Sequence, residues 1–449
     1  MVTIQSKIVL LVACIGEVAW LLLAQTLGST ILLIPCLACF LVLVAWTAIQ
    51  GMTLPVLMFF LPFSTLLKIR PGMISFYTVA LLIAYLIYAV KGIKNISIKH
   101  LVPGLALLAM ALVVKTLYGE SIDNSFILFF FTLLLIPFFK RELGEKYDFY
   151  DLTMGFALGI VLAAITARFL IGFPAIRQYI RTHEYSGLVR YSGYYGDPNF
   201  YSAHITAALG GVLILMINTI KKFRIVLLMI LAVLLVYCGA LSVSKSFWLI
   251  AAAVVLFWLI AFMLQKGKIT AKITILLTVC VGIVFLLSST VFYDQFAMFM
   301  ARLSQDQNLS DFTTHRTELW DQYITALIND PKLLFFGRGL SSVLVNDRGS
   351  HNTLIQGVYQ FGLLGSGILT AWFVFYIRTL LKDTVVRQKD LTQIAVLLIG
   401  ALGPWVGLDV LRFDEFFLIP MYVCVGVMFL SQQDEEQSEM IKVEEMNEI

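Results

Sequence analysis

A chain of 449 residues that is 60% hydrophobic and only 13% charged, with a mean hydropathy of +0.89, is too apolar for a soluble globular domain. Its formal net charge of +4 is mild and gives no reason to expect a nucleic-acid partner. Six cysteines, all inside apolar stretches, exclude a disulfide scaffold. The C-x-x-C of Cys36 and Cys39 reads as two small lipid-buried residues rather than a redox or zinc pair.

Apolar runs of membrane-spanning length recur along the whole chain, which predicts an all-α, polytopic membrane helix bundle. The first run, Ile8 to Ala24, contains Glu17 and lacks a small-residue cleavage site, so it reads as a retained helix rather than a signal peptide. About fourteen spans follow from the pattern: 8–24, 28–48, 54–67, 73–90, 101–117, 125–139, 150–173, 200–218, 225–242, 246–264, 272–293, 353–377, 391–408 and 415–431. The third and sixth are short, and a count of twelve is the alternative. Together they make residues 1–431 one integral membrane domain. The acidic tail 432–449 is expected as a disordered, solvated cytoplasmic end.

Lys and Arg in the short loops set the orientation. Lys91/Lys94/Lys99, Lys140/Arg141/Lys146, Lys221/Lys222/Arg224, Lys266/Lys268/Lys272 and Arg378/Lys382/Arg387/Lys389 all fall on one side if the N-terminus is cytoplasmic. Both termini are then cytoplasmic, and "KIRPG" at 68–72 is the main exception. Two longer connections lie outside: 174–199, and 294–352 as a small extracytoplasmic subdomain. Within the second, Leu319, Tyr323, Ile324 and Leu327 fall on one helical face, and Asn329-Asp330-Pro331 ends the helix.

The inward loops carry mostly lysine, whereas the long outer loops carry Arg177, Arg181, Arg190, Arg302, Arg316, Arg338 and Arg348. The guanidinium fork matches phosphate and carboxylate oxygens, so an arginine-rich outer face suggests an anionic ligand. Three segments lead from that face into helices: "RYSGYYGDPNFYS" at 190–202, "SVSKSFW" at 242–248 and "SHNTLIQ" at 350–356. A helix N-terminus offers free N–H groups and the positive end of the helix dipole to an anion, although polar residues there also serve as ordinary caps. The chain has no G-x-x-x-x-G-K-[ST], no HExxH, no Cys/His ligand series and no D-x-D. Neither an ATP motor nor a metal-held nucleotide-sugar is therefore expected.

Arg190–(x)2–Gly193–(x)4–Pro198–Asn199, then Ser244-Lys245-Ser246, Arg316–(x)3–Trp320, Gly337-x-Gly339 and His351-Asn352, in that order and on one side, resemble the O-antigen ligase/polymerase superfamily over about residues 150–430. The resemblance implies a metal-independent, inverting glycosyltransferase that needs no cofactor. It would act outside the cytoplasmic membrane on glycan carried by undecaprenyl pyrophosphate. It places Arg190, Lys245 and Arg316 on the pyrophosphate and His351 beside the acceptor. Family members commonly carry Ser-Arg where this chain has Ser244-Lys245, which keeps the charge but loses the bidentate fork.

The chemistry needs charge stabilised on the pyrophosphate and a proton taken from the acceptor hydroxyl. Arg190 and Arg316 suit the first task. His351, whose type titrates near neutrality, suits the second, with Asp197 as the rival base. Asp197, Asn199, Ser244, Lys245, Trp320, Arg338 and Asn352 are the expected substrate-binding residues. Tyr185, Tyr191, Tyr194, Tyr195 and Trp320 are candidates for stacking on sugar rings. No feature specifies a lipid A core or protein acceptor, so a polysaccharide polymerase is preferred over a ligase. A flippase and a chain-length regulator would then be its partners, beside the membrane lipid. The alternative from another class is a lipid-linked oligosaccharide flippase. That reading requires charges in the middle of several spans, and here they crowd the outer loops.

Overall fold

Every candidate span within the described residues is helical in the computed structural model, which describes residues 4–92, 98–142, 147–180, 182–185, 188–219, 221–265, 273, 290–304, 313–382 and 384–447. The helices are α1 (Ile4–Thr26), α2 (Thr30–Gln50), α3 (Thr53–Phe60), α4 (Phe76–Gly92), α5 (Val102–Leu117), α6 (Asn124–Leu135) and α7 (Phe149–Leu170). They continue as α8 (Pro174–Arg177), α9 (Pro198–Asn218), α10 (Lys222–Leu241), α11 (Lys245–Leu264) and α12 (Thr290–Ser304). The last are α13 (Arg316–Asn329), α14 (Pro331–Phe336), α15 (Thr353–Leu380), α16 (Leu391–Leu402) and α17 (Glu415–Asn447). Among the described residues, 8 helices are long and apolar enough to cross a membrane, and five shorter apolar segments accompany them. The chain is a multi-pass helical membrane protein. Most of the expected span 272–293 lies outside the described residues.

Two features differ from the expected layout. Residues Thr182–Tyr185 (β1) and Leu188–Tyr191 (β2) form an antiparallel hairpin that sets His183 opposite Arg190. The acidic segment 432–449, expected as disordered, continues α17 as helix to Asn447. Its Gln, Glu, Met and Lys residues are strong helix formers and extend a helix already nucleated in the preceding span.

The bundle is built around α9, in which every residue from Tyr201 to Leu215 is buried. A helix apolar on all sides belongs inside. It is flanked by α7, α10, α11, α16 and α17. At its crossing with α16 the Thr206 hydroxyl donates to the Gly400 carbonyl at 2.8 Å. A Cβ on Gly400 would stand 2.6 Å from the Thr206 carbonyl oxygen, so only glycine permits this approach. Elsewhere Cys36 donates to Glu17 at 3.1 Å inside the bundle, which partners the one mid-span carboxylate noted in the sequence. The thiols of Cys36 and Cys39 are free.

A separate apolar cluster supports the loop side. Leu319, Tyr323 and Leu327 of α13 pack with Leu333 of α14 and Tyr359 of α15. Three of the four residues expected on that face are buried. Ile324 is exposed instead, because a single helical face about 100° wide cannot include it beside Tyr323.

Gly400→Val is expected to lower stability by about 1–3 kcal/mol through overpacking at the α9–α16 crossing. Gly367→Ala in α15, where a Cβ meets nothing within 4 Å, is expected to be neutral or slightly stabilising. Thermal unfolding of the two detergent-solubilised variants checks both.

Candidate functional site

Three capped helix starts meet at one end of the bundle. Asp197 caps α9 by accepting the Asn199 N–H at 2.6 Å. Ser244 caps α11, accepting the Phe247 N–H at 3.4 Å, and its hydroxyl donates to Asn199 Oδ1 at 2.9 Å. The Arg190 guanidinium donates to that same oxygen at 3.3 Å and to the Ser242 carbonyl at 3.0 Å. Arg302 donates to the Val243 carbonyl at 2.6 Å, on a residue held at φ 46°. Arg190 and Arg302, 8% and 5% exposed, therefore clasp the α10–α11 turn from two sides.

The third start is α15. Asn352 caps it, its Oδ1 accepting the Leu354 and Ile355 N–H groups at 3.0 and 3.1 Å, and its Nδ2 donates to the Val406 carbonyl at 3.1 Å. Thr353 donates to the Leu408 carbonyl at 2.7 Å. The preceding turn is held from α13, where Trp320 Nε1 donates to the Ser350 carbonyl at 3.0 Å and the Tyr323 hydroxyl to the Arg348 carbonyl at 2.6 Å. Between these fixed points His351 sits at φ 50° with its side chain at the rim. A non-glycine residue in the left-handed region costs free energy that the surrounding bonds must offset.

Electrostatics joins the two halves. Burial, then the charge of Arg316, holds the His351 imidazole below its ordinary value of 6.5, and Asp197 opposes that shift. Arg316 opens α13 and is itself half-buried. Burial pulls its pKa down, Asp197 raises it and Arg302 lowers it. Its guanidinium lies against Gly407, where a Cβ would stand 2.5 Å from Nη1. Asp197 thus acts on both Arg316 and His351, and guanidinium groups outnumber it.

Beside this cluster opens a cavity of about 950 Å³, reached by Asp197 and lined also by Lys68, Asp123, Tyr195, Arg412 and Asp414. Burial, then the neighbouring Glu415, pushes Asp414 up to about 7; Thr78 donates to it at 2.9 Å. Glu415 pairs with His204 at 3.3 Å. Burial also pushes Asp409, on the adjoining loop, up to about 6. Among the described residues no group of three or more His, Cys, Asp or Glu side chains is placed to hold a metal ion.

The structure brings together Arg190, Asp197, Asn199, Ser244, Arg316, His351 and Asn352, with Lys245 as the first residue of α11. Arg338 points elsewhere, pairing with Glu120 at 3.9 Å and stacking over Tyr118 at 4.6 Å. Its flanking glycines form a wedge, with the Gly339 N–H donating to the Gln360 carbonyl at 2.8 Å beside the Gly362 kink of α15. Trp320 is half-buried, and its Nε1 braces the backbone at Ser350. Tyr194 is buried, its hydroxyl donating to Thr166 at 3.1 Å, and so presents no face to a sugar. Arg177 is exposed on α8, and Arg181 lies outside the described residues. Sequence reasoning missed Lys68, Arg412, Asp414 and Glu415. Their signal was charge in two very short loops, "KIRPG" and "RFDE", between apolar runs of a charge-poor chain.

His351 should titrate below 6.5, so it is neutral at pH 7 and its loss of base form is confined to more acidic pH. Removing a positive neighbour with Arg348→Gln should raise that pKa, and removing the negative one with Asp197→Asn should lower it further. Imidazole carbon chemical shifts across a pH series, with His351 assigned by its Gln variant, read both directions.

No family model and no curated protein matches this chain.

Proposed function

We propose that the protein is a membrane glycosyltransferase that transfers glycan from a polyisoprenyl-pyrophosphate donor, undecaprenyl pyrophosphate being the expected carrier. The acceptor is a hydroxyl of another lipid-linked saccharide, which makes the product a longer polysaccharide. The observation that carries the reading is the gathering of Arg190, Arg302, Arg316 and three helix N-termini beside Asp197. Guanidinium groups and helix N-termini grouped in this way suit a dianionic ligand.

In the reaction the acceptor oxygen bonds to the sugar C1 from the face opposite the leaving group. The C1–O bond breaks, its electron pair leaves on the pyrophosphate, and the configuration inverts. Arg316 and Arg190, with Lys245 and the start of α11, take up the charge that develops there. His351, neutral at pH 7, takes the proton from the attacking hydroxyl. In this reading the cluster faces away from the cytoplasm, as the lysine-rich loops on the opposite side favour.

Arg190 also holds the α10–α11 turn, so its alanine variant mixes folding with chemistry. Arg316 gives the cleaner test. Arg316→Ala should reduce transfer by about 10²–10³-fold or more while the protein stays inserted and monodisperse. Arg316→Lys should be impaired, and Lys245→Arg tolerated. Transfer should persist in excess EDTA. Near-normal product from Arg316→Ala would contradict the reading, as would a reporter tag at residue 305 that registers in the cytoplasm.

A further inference from the structure

We infer that Arg302 is a positioning residue: by gripping the Val243 carbonyl it keeps the α10–α11 turn in a left-handed conformation, and so fixes where the first turn of α11 stands. That this helix start serves a pyrophosphate rests on the transferase reading above.

The turn is a helix end built with an unfavourable residue. α10 closes at Ser242, whose backbone is still right-handed helical, and Val243 follows at φ 46°. The place just after a helix end usually belongs to glycine when the backbone is left-handed, because a Cβ is strained there and a β-branched side chain most of all. Val243 is also fully enclosed, at 1% exposure. The two helices are pressed together at this joint, since a Cβ on Gly239 would stand 2.1 Å from the Phe247 ring. A residue held against its own preference in so tight a corner needs bonds from outside to keep it there.

Some of the bonds are local. The Val243 N–H donates to the Ala240 carbonyl at 3.0 Å, and the Ser242 hydroxyl donates to the Gly239 carbonyl at 2.6 Å while accepting the Ser244 N–H at 3.2 Å. Two others come from distant segments: Arg190 on the Ser242 carbonyl at 3.0 Å, and Arg302 on the Val243 carbonyl at 2.6 Å. The second grips the strained residue itself. Arg302 is delivered by α12, whose Phe296 and Phe299 stand against Trp248 of α11 with ring centroids 6.1 and 5.4 Å away. Arg302 follows one turn later on the same helix and is 5% exposed. Ser244, the next residue after Val243, caps α11 and donates to Asn199. If Val243 left the left-handed region, the cap, Lys245 and the first N–H groups of α11 would move with it.

The test places Arg302→Gln in four backgrounds of the full chain in lipid nanodiscs: wild type, Val243→Ile, Val243→Gly and Val243→Asn. Glycine and asparagine accept the left-handed region, whereas valine and isoleucine resist it. Binding of polyprenyl pyrophosphate and of uncharged polyprenol is measured in each, and hydrogen–deuterium exchange over residues 240–250 follows the turn without ligand. Arg302→Gln should weaken the pyrophosphate about tenfold or more beside valine or isoleucine, and about threefold or less beside glycine or asparagine, each against its own background with Arg302 intact. Polyprenol affinity should stay level throughout, which a general loss of folding would not allow. Exchange over 240–250 should quicken beside valine and isoleucine and change little beside glycine and asparagine. Arg302→Lys should show the same dependence to a smaller degree, and it replaces the glutamine variant if that one is not recovered folded. An equal effect on pyrophosphate binding in all four backgrounds would overturn the inference, because a direct ligand of the anion gains nothing from a relaxed turn. Exchange that ignores Arg302→Gln would overturn it too. Wild-type protein that binds pyrophosphate no better than polyprenol would defeat the donor reading alone, since exchange over the turn still decides the role of Arg302.

Discussion

The side-chain oxygen of Asn199 is the point on which the site depends. It receives Arg190 and Ser244 together, and so ties the hairpin, the start of α9 and the start of α11 into one unit. A buried guanidinium without fixed acceptors is costly, and here the acceptors are two carbonyls of the α10–α11 turn and one amide oxygen. These neutral acceptors fix the two guanidinium groups at the α10–α11 turn without themselves cancelling charge. A carboxylate in the place of Asn199 would add a negative charge beside Arg190.

Much of this was legible from residue order. Apolar runs gave the helices, and the helix starts within 190–202, 242–248 and 350–356 were visible because each joins a polar segment to an apolar run. The amphipathic spacing of Leu319, Tyr323 and Leu327 gave α13 and its buried face. Ile324 was expected on the same face, although at 100° per residue it falls outside the arc that Leu319, Tyr323 and Leu327 share. The strand pair at 182–185 and 188–191 carries no hydrophobic alternation of its own, and Arg190 on it is anchored to the α10–α11 turn.

The cavity was not legible, and the reason is physical. Its charged residues come from four segments, with Lys68 more than three hundred positions from Arg412, Asp414 and Glu415, and each segment is too short to look like a site. Lys68 looked like an exception to the distribution of basic residues across the membrane, and the structure places it opposite Asp414. Arg338 illustrates the converse. It sits in a glycine-flanked segment that resembles a family motif, yet its glycines serve the wedge against the Gly362 kink and its side chain answers Glu120. Spacing identifies which residues a fold keeps near each other; it does not say which of them face the ligand.

The central claim is that the arginine cluster holds a pyrophosphate on a lipid. Affinities of the purified protein for polyprenyl pyrophosphate, polyprenyl monophosphate and the uncharged polyprenol test it directly, since the three share the same apolar chain. The account predicts a fall at each step of charge removal. It also predicts that Arg316→Gln costs the pyrophosphate about 1.5–3 kcal/mol, roughly ten- to a hundredfold, while leaving the polyprenol unchanged. Equal affinity for pyrophosphate and polyprenol, or a pyrophosphate affinity indifferent to Arg316, would contradict it.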